Sequence, residues 1–418
     1  MSTVTDSQIF RNIFSTSPSS EIWSDKTRTT YYLQFESALA VAQARLGIIP
    51  TKAADAIKEK CKIELIDMEE LRKDTERIGY PVLGVVKQLV GLVNKVEPGL
   101  GEWAHWGATT QQAVPISFGF KLARLLATFH RHQQRLSEIL PRLLVLEFSG
   151  AAGTLATLCT ESTTPEVILQ VQEEMAQELD LNVPEIAWHT ERDRIAEIGS
   201  LFALIAGTCS KFALDIKLLM QTEVGEVYEP YYPHRGSSST MPQKRNPIAS
   251  VYITAMSSTV RQLSAALLDA MVEDHERSTG PWEIEWIVLP QICTMTHAIL
   301  MHTQSVVEGL EVDTERMKNN LLLTRGAVVS EAVMMGLGKV IGRQVAHDLV
   351  YDLCRKAIQE DRPLVDLLEE SDEVMNAGME RTELEKLCDP GNYLGLSEMM
   401  VKRVLTIPSQ HQVAEVLI

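Results

Sequence analysis

Aromatic residues make up only 6% of this 418-residue chain, and turn pairs flanked by alternating apolar residues are nearly missing. A sheet-built core is therefore excluded, because strands and hairpins depend on those signals. The six cysteines, Cys61, Cys159, Cys209, Cys293, Cys354 and Cys388, include no CxxC pair. That scatter excludes a disulfide or zinc framework and reads as buried free thiols of a reducing compartment. No HExxH, DxDxDG, GxGxxG or P-loop pattern occurs, so neither a metal nor a nucleotide cofactor is expected. Cations are in deficit, 39 Lys and Arg against 56 Asp and Glu, for a formal net charge of −17. Such a chain repels a phosphate backbone, so nucleic acid is not an expected partner. The N-terminus has no basic start followed by an apolar block, so no signal peptide is read. The most apolar stretch by this reading, Leu201–Met220, is interrupted by Lys211, Asp215 and Lys217 and is a core helix rather than a membrane span. A soluble, cytoplasmic protein is the expectation.

What the chain does have is 45% hydrophobic residues, enough for a large core divided into domains or lobes. Prolines are unevenly placed, with none between Pro184 and Pro230, Pro247 and Pro281, or Pro290 and Pro363. Inside these gaps apolar residues recur at three and four, as in Ile195, Ile198, Leu201, Phe202 and Ile205, which predicts long helices. An all-α fold follows, in three helical regions. Residues 1–102 form an N-terminal region with an amphipathic helix near Thr29–Leu46. Residues 103–310 form a central bundle of long helices, and 311–418 a smaller C-terminal domain with Asp389–Gly395 as a loop. Helices apolar on several faces need partners, so a homo-oligomer with a shared helical core is expected.

The most informative stretch is 236–247, Gly-Ser-Ser-Ser-Thr-Met-Pro-Gln-Lys-Arg-Asn-Pro. Hydroxyls at Ser237, Ser238 and Ser239 sit in a segment too polar for a core element, and Lys244 and Asn246 follow at once. Asn246 is placed to cap the helix that Pro247 opens. Mobile hydroxyls, a cation and a helix N-terminus suit an acidic substrate: the last two hold carboxylate while a serine moves a proton. A solvated Ser-rich turn would account for Gly-Ser-Ser-Ser alone but not for the whole string.

This loop resembles the signature of the fumarase/aspartase superfamily, Gly-Ser-Ser-x-Met-Pro-x-Lys-x-Asn-Pro. Aligned on Met241, it sets Ser238 and Ser239 on the two family serines, Lys244 on the lysine and Asn246 on the asparagine. Ser237 stands where the pattern has glycine. The block 103–110, Trp-Ala-His-Trp-Gly-Ala-Thr-Thr, is similar to the family's first conserved block. The segments 111–119, 219–226, 273–278 with Trp282 and Trp286, and 389–395 resemble the 3-carboxy-cis,cis-muconate cycloisomerase branch. The resemblance implies addition or elimination beside a carboxylate of an unsaturated di- or tricarboxylate, through a dianionic aci-carboxylate. It also implies a homotetramer with active sites built from several chains.

Carried over residue by residue, the resemblance makes Ser238 the base, with Ser239 the second choice, on a loop that closes over substrate. Lys244 supplies the positive charge a serine base needs, and Asn246 a substrate contact. His105 matches a family histidine near the substrate; without the block it would read as a hydrogen-bonded core residue. Thr109 and Thr110 are candidate carboxylate donors. Arg277 matches a substrate contact and suits a carboxylate clamp, against a solvated helix face as its plainer reading. His130 and His132 read as solvated. His189 and Arg192 could line the cleft, although Thr190 as an N-cap explains that string as well. Adenylosuccinate lyase is the alternative enzyme, disfavoured by the lack of a basic cluster for a nucleotide phosphate.

One departure stands out. In the family, the Gly-Ala-Thr block leads through a long bundle helix to a Gly-Arg-Thr-His block just before the counterpart of Gln111–Pro115. Here Thr110 runs directly into Gln111. A bundle helix and a Thr-His pair that contacts substrate and transfers a proton are missing together. The alternative of another class is therefore a helical oligomer that has lost catalysis.

Overall fold

The computed structural model describes residues 3–5, 7–109, 113–231, 240–241 and 244–408, and helices supply almost all of its regular structure. Among these residues strand is confined to one antiparallel pair, β1 (Val227–Tyr228) and β2 (Glu311–Val312). Two compact units result: Met1–Val114 with Ile341–Ala346, and Pro115–Val340 with His347–Ile418.

The first unit is built on α1 (Asp25–Arg45), α2 (Thr51–Lys60), α3 (Met68–Ile78) and α4 (Pro81–Asn94). Ser24 caps α1 by accepting from the Thr27 N–H at 3.1 Å. Thr29, Leu33, Glu36 and Ala40 form its buried stripe, so a carboxylate occupies a position where the helical period calls for an apolar side chain. On α4, Val85, Leu89 and Val93 recur every four residues and are fully buried. Gly84 lets α4 approach α3 closely, since a Cβ there would stand 2.9 Å from Leu71 Cδ1.

The second unit is organised around α5 (Phe118–Leu143), α6 (Pro165–Glu178), α7 (Asp193–Leu219), α8 (Ile248–Asp269) and α9 (Pro281–Glu308). Helix α7 is central. Lys121 reaches Asp215 at 3.2 Å and His132 reaches Thr208 at 2.8 Å, so α5 lies antiparallel to α7. Lys217 donates to Thr254 at 3.0 Å while Gly199 packs on Leu267, so α8 is antiparallel to it as well. Arg192 pairs with Glu285 near the start of α9, which covers a third side. The buried side chains of α8, Ser250, Ile253, Ser257, Val260, Ser264 and Leu267, alternate steps of three and four. This is the period of a bundle seam, with a small residue at every second position that lets the backbones close up. After α9 the chain continues as shorter helices, from Thr314–Leu322 to Ser397–Leu405.

Several expectations are corrected at this level. Pro290, taken from the sequence as the start of a proline-free gap, lies inside α9 instead of bounding a helix. The proline-free run after Pro290 holds the rest of α9 and several further helices, not one long one. Thr190 does not cap α7: its N-cap is Arg192, with no side-chain cap, because the Thr190 hydroxyl turns to Glu191 at 3.3 Å. His132 is buried, not solvated, and its Nε2 meets the Thr208 hydroxyl. Cys159 and Cys293 are exposed, so the six free thiols are not uniformly buried. Among the described residues, the helix long and apolar enough by composition to cross a membrane is α9, not the Leu201–Met220 stretch. Its Val288, Ile292 and Ile299 belong to the bundle core.

Candidate active site

The segment that follows the three serines is anchored at Arg245. Ser238, Ser239 and Thr110, like Gly236 and Ser237, lie outside the described residues, so the choice of base stays with the sequence. Lys244 is exposed and makes no ion pair among the described residues. Arg245, which the sequence reading passed over, holds the loop. Its guanidinium donates to both Glu311 oxygens at 2.9 Å and to the Glu229 carbonyl at 2.8 Å. It also lies over the rings of Tyr228 and Tyr231 at 5.0 and 5.7 Å. This fork holds the Glu311 carboxyl below its ordinary pKa and raises that of Arg245. Arg245 is therefore held against the β1–β2 pair.

The helix end that follows is not free to receive substrate, which corrects the reading of Asn246 and Pro247. Helix α8 begins at Ile248 with Pro247 as its N-cap, and Asn246 stands one residue outside. The N–H groups of the first turn that lack an intrahelical acceptor are taken by the buried carboxylate of Glu229. Ala249 N–H donates to Oε2 at 3.0 Å, and Ser250 donates to Oε1 from its N–H at 2.7 Å and its hydroxyl at 2.6 Å. The physical reason is general: a buried helix N-terminus needs acceptors and favours negative charge, and the chain brings its own.

In the first unit, His105 has φ +56°, a left-handed conformation uncommon for a residue with a Cβ. Its Nδ1 lies 2.6 Å from Oε1 of Glu36, the carboxylate of the α1 stripe, whose Oε2 is buried without a partner. Gln43 donates to the Trp106 carbonyl at 2.8 Å, and the rings of Trp103 and Trp106 stand 4.9 Å apart. The block 103–109, with Thr109 at its end, is thus clamped to α1. The hydrogen bond to a buried carboxylate fixes the orientation of the imidazole ring. The Glu36 position could have been found from its spacing between Leu33 and Ala40. Burial, with the Glu36 carboxylate adding to it, pushes the nearby Cys61 thiol up to about 12, so that thiol is not a nucleophile.

Arg277 is exposed and lies in a turn instead of on a helix face. Asp274 and Arg277 exchange backbone hydrogen bonds at 3.1 Å, and the Asp274 carboxylate also takes the Thr279 N–H at 3.1 Å. His189 braces the turn by donating from Nε2 to the Glu276 carbonyl at 2.9 Å. Arg192 does not line a cleft: it is buried, with Nε and Nη2 on the two Glu285 oxygens at 2.8 and 2.6 Å. Asn246 and Arg277 lie beyond opposite ends of the 22-residue α8. At a rise of 1.5 Å per residue they are separated by roughly 33 Å of helix. One chain cannot place both on one small substrate.

Comparison with known proteins supplies the remaining findings. Residues 107–261 match a lyase family model, and 326–404 match the adenylosuccinate lyase C-terminus model. The chain is 49% identical to trans-aconitate decarboxylase 1 of Mycosarcoma maydis, over 95% of this chain and 88% of that protein. It is 38% identical to the 3-carboxy-cis,cis-muconate cycloisomerase of Pseudomonas aeruginosa, over 97% of each. It superimposes on the crystal structure of the 3-carboxy-cis,cis-muconate lactonizing enzyme from Pseudomonas putida with a TM-score of 0.64 at 36% identity, covering 96% and 98% of the two chains. The Pseudomonas aeruginosa alignment has 453 positions against 418 residues here, so at least 35 positions have no counterpart in this chain.

Proposed function

Because the chain belongs to the fumarase/aspartase superfamily of lyases and cycloisomerases, we propose that it acts on an unsaturated tricarboxylate. The observation that carries this reading is the pair of substrate names among its relatives, 3-carboxymuconate and trans-aconitate. Both are unsaturated tricarboxylates. In lactonisation, a substrate carboxylate oxygen forms a C–O bond to one alkene carbon. The π pair moves into an adjoining carboxylate to give the aci-carboxylate, and a proton from the Ser238 hydroxyl completes the product. In the reverse direction Ser238 is the base. Lys244, Asn246, Arg277 and the threonines at 109 and 110 hold the carboxylates as charge accumulates, while Glu36 orients His105. The spacing of Asn246 and Arg277 along α8 favours sites assembled from different copies, in a cytoplasmic homotetramer.

A second reading is decarboxylation, favoured by the 49% identity to trans-aconitate decarboxylase 1. Carbon dioxide leaves the saturated carbon, and its electron pair passes through the double bond into the far carboxylate. The same kind of aci-carboxylate forms and takes up one proton on carbon. The two reactions need the same cations and the same proton carrier, and differ in which bond breaks.

The test is to incubate the purified chain with 3-carboxy-cis,cis-muconate, trans-aconitate and adenylosuccinate, following loss of the alkene chromophore and release of carbon dioxide. Turnover of a tricarboxylate, lost in Ser238→Ala with substrate affinity kept, is the expected result. Loss in Ser239→Ala alone would move the base by one residue. Full activity in both variants would remove the loop from the chemistry. Turnover of adenylosuccinate alone would overturn the substrate class, and no turnover at all would favour the non-catalytic reading.

A further inference from the structure

Helices α5 and α7 leave a furrow of about 710 Å³ between them, with Arg261 of α8 on its far side, and its two ends differ in chemistry. The volume is that of a small-molecule site, for which roughly 300–1,000 Å³ is usual. One end is lined by Phe118, Leu122, Phe212, Ile216 and Leu219. Lys121 and Lys211 are there too, and both lean on the furrow's single carboxylate, Asp215. That end is apolar, and its cations are engaged.

At the other end the cations are uncommitted. His132 Nε2 meets the Thr208 hydroxyl at 2.8 Å, which sets the neighbouring Arg131 at the level of Thr208. Lys217 on Thr254 and Gly199 against Leu267 fix the register of α8 on α7, and that register brings Arg261 to the level of Gly207 and Thr208. Arg131 and Arg261 both line the furrow, and among the described residues neither has a carboxylate partner. Arg131 gives one N–H to the Thr128 hydroxyl at 2.9 Å. Arg124, exposed on the rim between the two ends, is likewise without a carboxylate. In a chain of net charge −17, arginines gathered without acidic neighbours are not a product of composition.

We infer that the furrow binds a single-chain anionic amphiphile. Its carboxylate meets Arg131 and Arg261, whose planar guanidinium groups match that geometry, and its alkyl chain runs along α7 toward Leu219. From Thr208 to Leu219 is roughly 16 Å of helix, which calls for an extended chain. A small polycarboxylate would gather at the arginines and leave the apolar end in water. A peptide helix is about 10–12 Å across and over that length displaces more than about 1,000 Å³, beyond the volume of the furrow. None of the residues assigned to the proposed reaction lines the furrow, so the inference does not rest on that reading.

The probe is dodecanoate, titrated into the full chain by calorimetry, with octanoate and dodecyltrimethylammonium for comparison. One dodecanoate is expected to bind per chain, more weakly at high salt. Octanoate should bind less tightly, by up to roughly fourfold for each methylene removed. The cationic amphiphile, with the same tail, should bind at least tenfold more weakly than dodecanoate. Gly207→Trp obstructs the furrow without meeting the chain itself, because nothing lies within 4 Å of a Cβ at Gly207. Arg131→Glu combined with Arg261→Glu reverses the charge of the head-group end. Each variant is expected to weaken dodecanoate at least tenfold while leaving the melting temperature of the free chain unchanged. No binding, equal binding of the cationic amphiphile, or full affinity in both variants would overturn the inference. So would self-association that Gly207→Trp abolishes and dodecanoate does not compete with, since the occupant would then be a second copy.

Discussion

Glu229 and Glu36 both bury a carboxylate, and the difference between their partners sets what each can do. Glu229 meets two backbone N–H groups and a hydroxyl, so it closes the end of α8. Glu229→Ala leaves those donors buried without an acceptor and is expected to cost about 1–3 kcal/mol. The measurement is urea unfolding, with a lower midpoint and an unchanged slope. Glu36 meets one imidazole nitrogen and keeps a second oxygen unpaired, which suits a positioning residue. Glu36→Gln is expected to lower kcat more than it raises KM, because it weakens the contact that orients the His105 ring. His132 gives a residue-level pH dependence. Burial, with Arg135 and Arg131 nearby, lowers its pKa from an ordinary 6.5. The unfolded chain thus takes up this proton first, so its contribution to stability is full above pH 6.5 and falls as pH drops from there toward the folded pKa. His132→Gln should flatten that part of the stability profile measured by thermal melts.

Among the elements, α8 shows how one helix serves both packing and site geometry. Small residues at Ser250, Ser257 and Ser264 allow it to lie close to α7, where Gly199 leaves no room for a Cβ beneath Leu267. The Ser257 hydroxyl is fully buried without a hydrogen-bond partner, while that of Ser250 donates to Glu229. Ser257→Ala is expected to stabilise by about 1 kcal/mol and Ser250→Ala to destabilise by a similar amount, since only the first removes an unsatisfied group. Paired melting curves check the opposite signs.

For the whole molecule, the length of α8 has a consequence beyond packing. If Asn246 and Arg277 both serve catalysis, they belong to different copies, so inactive mixtures should complement. Combining Ser238→Ala with Arg277→Ala chains is expected to restore part of the activity that neither has alone, and a strictly additive result would count against shared sites. The absent Thr-His block bears on the same scale. A proton-transfer group contributes on the order of 10²–10⁴ in rate, so inserting a relative's helix and block after Thr110 should raise turnover at least about 10²-fold. Assay of the two forms side by side decides this.

The sequence by itself determined the fold class and the superfamily. Apolar recurrence at three and four made the fold helical, because that spacing alone aligns one face of a helix. The string at 236–247 pointed to the superfamily through its resemblance to the signature pattern, because hydroxyls, a cation and an amide that share one loop are consecutive in sequence. It also exposed the junction at Thr110. Only the tertiary structure decided which polar groups are spent internally. Glu229 lies 20 residues before Ala249 and Glu36 lies 69 before His105, and no local period relates such pairs. Arg245 reads as one more loop cation until Glu311 and two tyrosines surround it. The end of α8 reads as a site for substrate carboxylate until its own chain fills it. Long-range packing sets these pairings, and it follows from the burial of the whole unit, not from any one segment.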